Sequence, residues 1–183
     1  MKTYACIILA ICLLQGCLAH RKTVIDLRGR GMESLPDSLL KDNRATVLMA
    51  GPNWVVYSPL SNTEINGGNH IISLPENICQ LRHLHKLLLE YNDIRTLPVC
   101  LVKLTRLEQL DLSFNTNLNI REILPVLRQL PDLKVLNVCG VPSALNDSIW
   151  LKQQFAASQV RVLITYQDVL NASPPSRQYR RNP

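Results

Sequence analysis

Aromatic residues are scarce: two Trp, five Tyr and two Phe make up 5% of 183 residues. Charged residues are also thin at 19%, which excludes a disordered, self-repelling polyelectrolyte. Seven glycines exclude a collagen-like chain, and six cysteines are too few for a small domain held together by disulfides. No Cys-x-x-Cys pair and no Cys/His metal spacing occurs, and no Gly-x-Ser-x-Gly, His-Glu-x-x-His, phosphate-loop or Gly-x-Gly-x-x-Gly motif. No apolar run is long enough to span a bilayer. What the chain has instead is aliphatic bulk. It is 46% hydrophobic and holds 32 Leu, on a length that suits one domain.

The N-terminal stretch reads as an address. Met1-Lys2 is a short positive start, Tyr4 to Gly16 is apolar, and Arg21-Lys22 closes the run. The stretch is shorter than the roughly 18–20 residues of a membrane-spanning helix, so it predicts an export signal over residues 1–19. Small residues at Cys17 and Ala19 suit cleavage after Ala19. An alternative cleavage lies before Cys17, because Leu13-Leu14-Gln15-Gly16-Cys17 resembles the lipobox of bacterial lipoproteins, apart from Gln15 where a small or hydroxyl residue is usual. That resemblance implies lipid attachment at Cys17 and a membrane contact through the lipid. The mature chain keeps Cys79, Cys100 and Cys139, so an oxidising compartment allows one internal bridge at most. The expectation carried forward is three mostly buried free thiols.

From residue 69 the chain repeats itself. Asn69-x-Ile71-x-x-Leu74-Pro75-x-x-Ile78-x-x-Leu81-x-x-Leu84 returns as Asn92-x-Ile94-x-x-Leu97-Pro98-x-x-Leu101-x-x-Leu104-x-x-Leu107. Every apolar anchor recurs at one constant step, the step from Asn69 to Asn92. Leu84-x-x-Leu87-x-Leu89-x-x-Asn92 is followed by Leu107-x-x-Leu110-x-Leu112-x-x-Asn115, and Leu133-x-x-Leu136-x-Val138 begins another copy. This spacing resembles the leucine-rich repeat (LRR) family in its Leu-Pro form, with units of roughly 22–24 residues. The resemblance implies an α/β leucine-rich repeat solenoid of about six coils. Short parallel strands would line a concave face, and helical or irregular segments the convex one. One unit cannot bury its own apolar face, so such units gain stability from their neighbours.

Flanking copies are less regular. Val24 to Leu39 and Ala45 to Pro59 fit the template loosely. Residues 51–68 break the register, since the step from Asn53 to Asn69 is much shorter than the step from Asn69 to Asn92. The step from Leu107 to Leu133 is longer than that from Leu84 to Leu107. The added length predicts a helix over 120–130, and 160–166 reads as a last strand. Asn53, Asn69, Asn92 and Asn115 form a ladder whose amides can satisfy backbone groups where the chain leaves the strand. Ser34 to Asp37 and Ser73 to Glu76 look like capping boxes opening short helices. The repeat domain spans 20–172. The tail 173–183, with three prolines and three arginines, has the composition of a disordered basic segment.

The template also selects the outward positions of each strand: His85, Lys86, Leu88, Glu90 and Tyr91; Glu108, Gln109, Asp111, Ser113 and Phe114; Lys134, Val135 and Asn137. Aromatic anchors among polar groups are the composition of protein-recognition surfaces, and the family resemblance implies protein or peptide binding by this face. His83 and His85 lack a third ligand, so no metal site is expected, and no cofactor or catalytic residue either. The net charge of +6 is spread out, without the aromatic-interleaved basic stripe of a nucleic-acid binder. With Cys79, Cys100 and Cys139 inside the repeats and no Cys-rich flanks, the chain resembles a bacterial envelope LRR lipoprotein more than an animal receptor ectodomain. The expectation is a non-enzymatic exported binding protein, lipid-anchored in the envelope. The alternatives are a secreted structural protein without a ligand, or a hydrolase.

Overall fold

The computed structural model describes residues 23–41, 43–52 and 68–172, and for Leu39 the backbone only. The export signal, the lipid-attachment position Cys17, Asn53 and the basic tail all lie outside the described residues.

Six short strands form one parallel sheet in strict chain order: β1 (Thr23–Asp26), β2 (Ala45–Met49), β3 (Lys86–Leu88), β4 (Gln109–Asp111), β5 (Val135–Asn137) and β6 (Arg161–Leu163). Each strand therefore lies beside the one before it, and the connections carry the return path. The first three connections hold 3-10 turns at Asp37–Lys41, Glu76–Gln80 and Val99–Lys103. Later ones hold α1 (Ile120–Leu127), then α2 (Pro142–Asn146) and α3 (Ser148–Gln154), and α4 (Tyr166–Ala172) follows β6. Among the described residues no helix is long and apolar enough to cross a membrane.

Repeated anchors build the interior. Leu84, Leu87, Leu89, Leu107, Leu110, Leu112, Leu136 and Val138 are fully buried, with Ile78, Leu81, Leu101 and Leu104 from the turns behind them. Because the anchors recur at equal steps, each leucine meets its counterpart one strand away. The core is consequently a continuous stack one unit wide. The extra length between Leu107 and Leu133 forms α1, which buries Ile120, Ile123, Leu124, Val126 and Leu127 in place of a 3-10 turn. The helix ends at Leu127, short of the expected boundary at Leu130.

The asparagines close the units. Asn92 Nδ2 donates to the carbonyls of Leu89, Glu90 and Ala50, while its Oδ1 accepts from Ile71 N–H. Asn115 repeats this with Leu112, Ser113, Leu89 and Ile94. Asn69 does the same one unit earlier: it donates to Ala50 and Leu27, and accepts from the N–H groups of Met32 and Arg30. The irregular step thereby has an explanation. The stretch from Leu48 to Asn69 is far longer than the equivalent one from Leu87 to Asn92, so the second unit is an ordinary unit interrupted in sequence after Pro52.

Two expectations are corrected. Cys79 and Cys100 are not free thiols but a disulfide, with Cα atoms 5.9 Å apart, and only Cys139 remains a free, buried thiol among the described residues. Cys79 follows the anchor Ile78, and Cys100 precedes the equivalent anchor Leu101. Stacking of the two 3-10 turns brings these offset positions together. The capping box at Ser73 does not form either. Pro75 is the N-cap of its turn, no side chain caps it, and the Pro75 carbonyl accepts from Ile78 N–H. The turn starts at Glu76, with Pro75 rather than Ser73 at its N-cap. The turn after Ser34 likewise starts only at Asp37.

Candidate binding face

Alternation along each strand turns one set of side chains into the core and the other set outward. Register aligns the outward set into rows. Lys86, Gln109, Val135 and Arg161 form one row, and Met49, Leu88, Asp111 and Asn137 the next. Lys86 and Lys134 are exposed, whereas His85, Leu88, Glu90, Tyr91, Glu108, Gln109, Asp111, Phe114 and Val135 are half-buried. Ser113 and Asn137 differ from the expected outward exposure: they are buried, at 1% and 8%. Both are drawn in by Asp111, whose Oδ1 accepts from the Ser113 hydroxyl at 2.6 Å and from its N–H at 3.0 Å. Asp111 Oδ2 accepts from Asn137 Nδ2 at 2.9 Å. Among the described residues, a carboxylate is thus fixed at the centre of the face by neutral donors.

Beyond the strand ends the parallel ladder continues. Gly29 N–H donates to Gly51, Tyr91 N–H to Ser113, and Phe114 N–H to Cys139. Gly29, Tyr91, Phe114 and Gly140 occupy the same position in their units, and all four have positive φ, from 52° to 73°. For Tyr and Phe this conformation is unusual. Here it swings both rings over the same edge of the sheet. They stack with centroids 4.2 Å apart and planes 11° from parallel. The Phe114 ring then lies over Gly140, where a Cβ would stand 2.5 Å from ring carbon Cδ1. Glycine at 140 serves both the backbone and the ring.

The face extends onto β1 and β2, outside the clearest repeats that the template selects. Arg28 grips Asp26 in bidentate fashion, Nε to Oδ1 at 3.0 Å and Nη2 to Oδ2 at 2.8 Å. The Arg28 hydrogen bonds hold the Asp26 carboxyl at about 2, well below the usual range. The Glu90 side chain lies over Gly51, where a Cβ would clash with its carboxyl carbon. Burial pushes the Glu90 carboxyl up, and the charge of Asp111 adds to this. The template could have identified Asp26 and Arg28, since they follow the same outward alternation. The requirement for Gly51 could not be read from it.

On the remaining face, Lys134 Nζ meets Glu108 Oε1 at 2.6 Å, and its hydrogen bond pulls the Glu108 carboxyl down. The histidines do not converge. His83 Nδ1 lies 3.1 Å from an Arg106 nitrogen, and His70 Nδ1 is 3.3 Å from Asp93. Among the described residues, Glu76, Cys79 and Cys100 are close enough to suggest a metal, but the two sulfurs are joined to each other.

No family model matches this chain, and no curated protein does. Among solved structures it is similar to a leucine-rich repeat protein of Leptospira interrogans, with 18% identity and a TM-score of 0.39. The likeness covers 76% of this chain and 48% of that one, so the chain spans about half the length of that protein.

Proposed function

We propose that this chain is an exported leucine-rich repeat solenoid that binds a protein or peptide with the outer face of its six-stranded sheet. It acts as an interaction module without catalysis, anchored in the cell envelope by lipid at Cys17. The observation that carries the binding role is the Tyr91–Phe114 stack. Two rings held in unfavourable backbone conformations, beside a carboxylate fixed in place, contribute little to the core. They do form a rigid, amphipathic anchor of the type that dominates protein interfaces. The disulfide supports the export reading, because such bonds persist in oxidising compartments.

The test is capture of a partner from the native envelope or medium by the exported chain, repeated with Tyr91→Ala and Phe114→Ala. Binding should fall at least tenfold in both variants while the far-ultraviolet circular dichroism stays unchanged. A partner held equally by both variants would place recognition elsewhere, and a ligand-free structural role would leave nothing captured. The anchor has its own check: an intact mass starting at Cys17 with acyl chains, against one starting at His20 without them.

A further inference from the structure

We propose that the partner presents a basic side chain, an arginine or lysine, which seats against Glu90 and Asp111 beside the Tyr91–Phe114 stack. This rests on the binding-face reading above and names the chemistry of what that face takes.

Charge bookkeeping on the face leads there. Its carboxylates are Asp26, Glu90, Glu108 and Asp111. Asp26 is paired with Arg28, and Glu108 with Lys134. Asp111 receives hydrogen bonds from Ser113 and Asn137, which bring no positive charge. Glu90 makes no ion pair among the described residues, and its Oε2 is buried without a hydrogen-bond donor among them. Arg28 is the cation whose charge reaches Glu90, but its guanidinium fork is occupied by Asp26. Glu90 and Asp111 belong to neighbouring strand–turn segments, β3 and β4, which a parallel sheet sets about 4.8 Å apart. Their two negative charges therefore reinforce each other at the C-terminal ends of the strands.

Apart from Arg28, which Asp26 holds at the acidic end, the cations named on the face stand at the opposite end. Lys86 and Arg161 are the first residues of β3 and β6, and Lys134 immediately precedes β5. The face is polar along the strand direction. Its acidic end is also its aromatic end, although the chain as a whole carries +6. A guanidinium or ammonium group there gains carboxylate partners beside an aromatic stack. An acidic group would meet repulsion. The same combination is already used on the other side of the molecule. Arg121 lies 4.3 Å from the Trp150 ring centroid while both of its bonds to Asp147 are 2.7 Å.

The test is selection of random displayed dodecapeptides on the exported full-length chain. Enriched peptides should share one Arg or Lys. Replacing it with citrulline or norleucine, which remove the charge and keep the bulk, should weaken binding at least tenfold. Glu90→Gln should weaken the parent peptide at least tenfold and leave the citrulline peptide unchanged. Affinity for the parent should also fall steeply from low to high salt. Asp111→Asn should act likewise. If its loss of the Ser113 and Asn137 contacts prevents folding, Glu90→Gln still decides, because the Glu90 side chain makes no hydrogen bond to another described residue that would hold the fold. Peptides that need Tyr91 and Phe114 but tolerate loss of every basic residue would overturn this proposal and leave the binding-face reading standing. Enriched peptides indifferent to Tyr91, Phe114 and Glu90 alike would overturn both.

Discussion

The ring of Tyr91 lies flat on the ring of Phe114, 4.2 Å between centroids, and both residues hold left-handed backbone to do so. That arrangement depends on Gly140, the equivalent residue one unit on, which gives Phe114 the space a side chain would fill. Gly140→Ala should therefore cost on two counts, a backbone strain of about 1–2 kcal/mol and a clash with the ring. A double-mutant cycle separates them. In the Phe114→Ala background the clash term should vanish and only the strain remain, as measured by urea denaturation. Equal costs in both backgrounds would mean that the ring does not press on position 140.

The asparagine ladder makes an energetic prediction. Asn69, Asn92 and Asn115 are all buried, and each bridges two strands through its amide. Replacing any one by Ala leaves buried carbonyl and N–H groups unpaired, at about 2–4 kcal/mol of stability. Asn69→Ala should cost as much as Asn92→Ala, despite its displaced place in the sequence. A loss no larger than that of an ordinary surface substitution, about 0.5 kcal/mol, would contradict the assignment of Asn69 to the second unit.

Reduction should destabilise the protein without unfolding its sheet. The Cys79–Cys100 bridge closes a loop of sequence separation 21, which corresponds to about 3 kcal/mol in the chain-entropy model. Thermal melts with and without reductant should differ accordingly, and Cys79→Ser with Cys100→Ser should remove the difference. Identical melts for the wild type under both conditions would show that the bridge carries no stability.

Glu90 and Asp26 should pull the pH profile in opposite directions. The Glu90 carboxyl is raised in the folded chain, so the unfolded chain loses that proton first as pH climbs past the ordinary glutamate value of 4.5. Stability from this group therefore falls as pH rises from there through the folded value. Asp26 is lowered from 3.8 to about 2, so its contribution is present above 3.8 and lost as pH falls toward 2. Chemical denaturation across the acid and neutral range should show a rise attributable to Asp26 at its acid end. Glu90→Gln should flatten the decline above pH 4.5, and an unchanged slope in that variant would contradict the assigned burial.

Sequence and structure divided the work in a physically sensible way. The parallel strands at Leu87, Leu110 and Leu136 are legible because burial of one strand face imposes a strict alternation, and stacking imposes an equal step. The outward positions follow from the same rule, which is why most of the face can be named from the sequence. Asn69 is visible as a ladder member, yet its unit looks broken, since an insertion after Pro52 leaves no periodic trace of where the unit resumes. Only its hydrogen bonds to Leu27 and Ala50 reveal the slot it fills.

What tertiary structure alone decided are the contacts between neighbouring units at offset positions. Cys79 and Cys100 depart from the repeat step, so spacing did not pair them, and the stacking of two 3-10 turns did. Ser113 and Asn137 sit at outward positions, but the central carboxylate of Asp111 draws them into the interior. The left-handed turns at Tyr91 and Phe114, which aim the rings along the sheet edge, have no signature in residue type, because glycine is the residue expected there. Periodic burial is a local property, repeated identically in every unit, and a sequence records it directly. Side-chain pairing across units depends on how the units lie against one another, and that is fixed only when they pack.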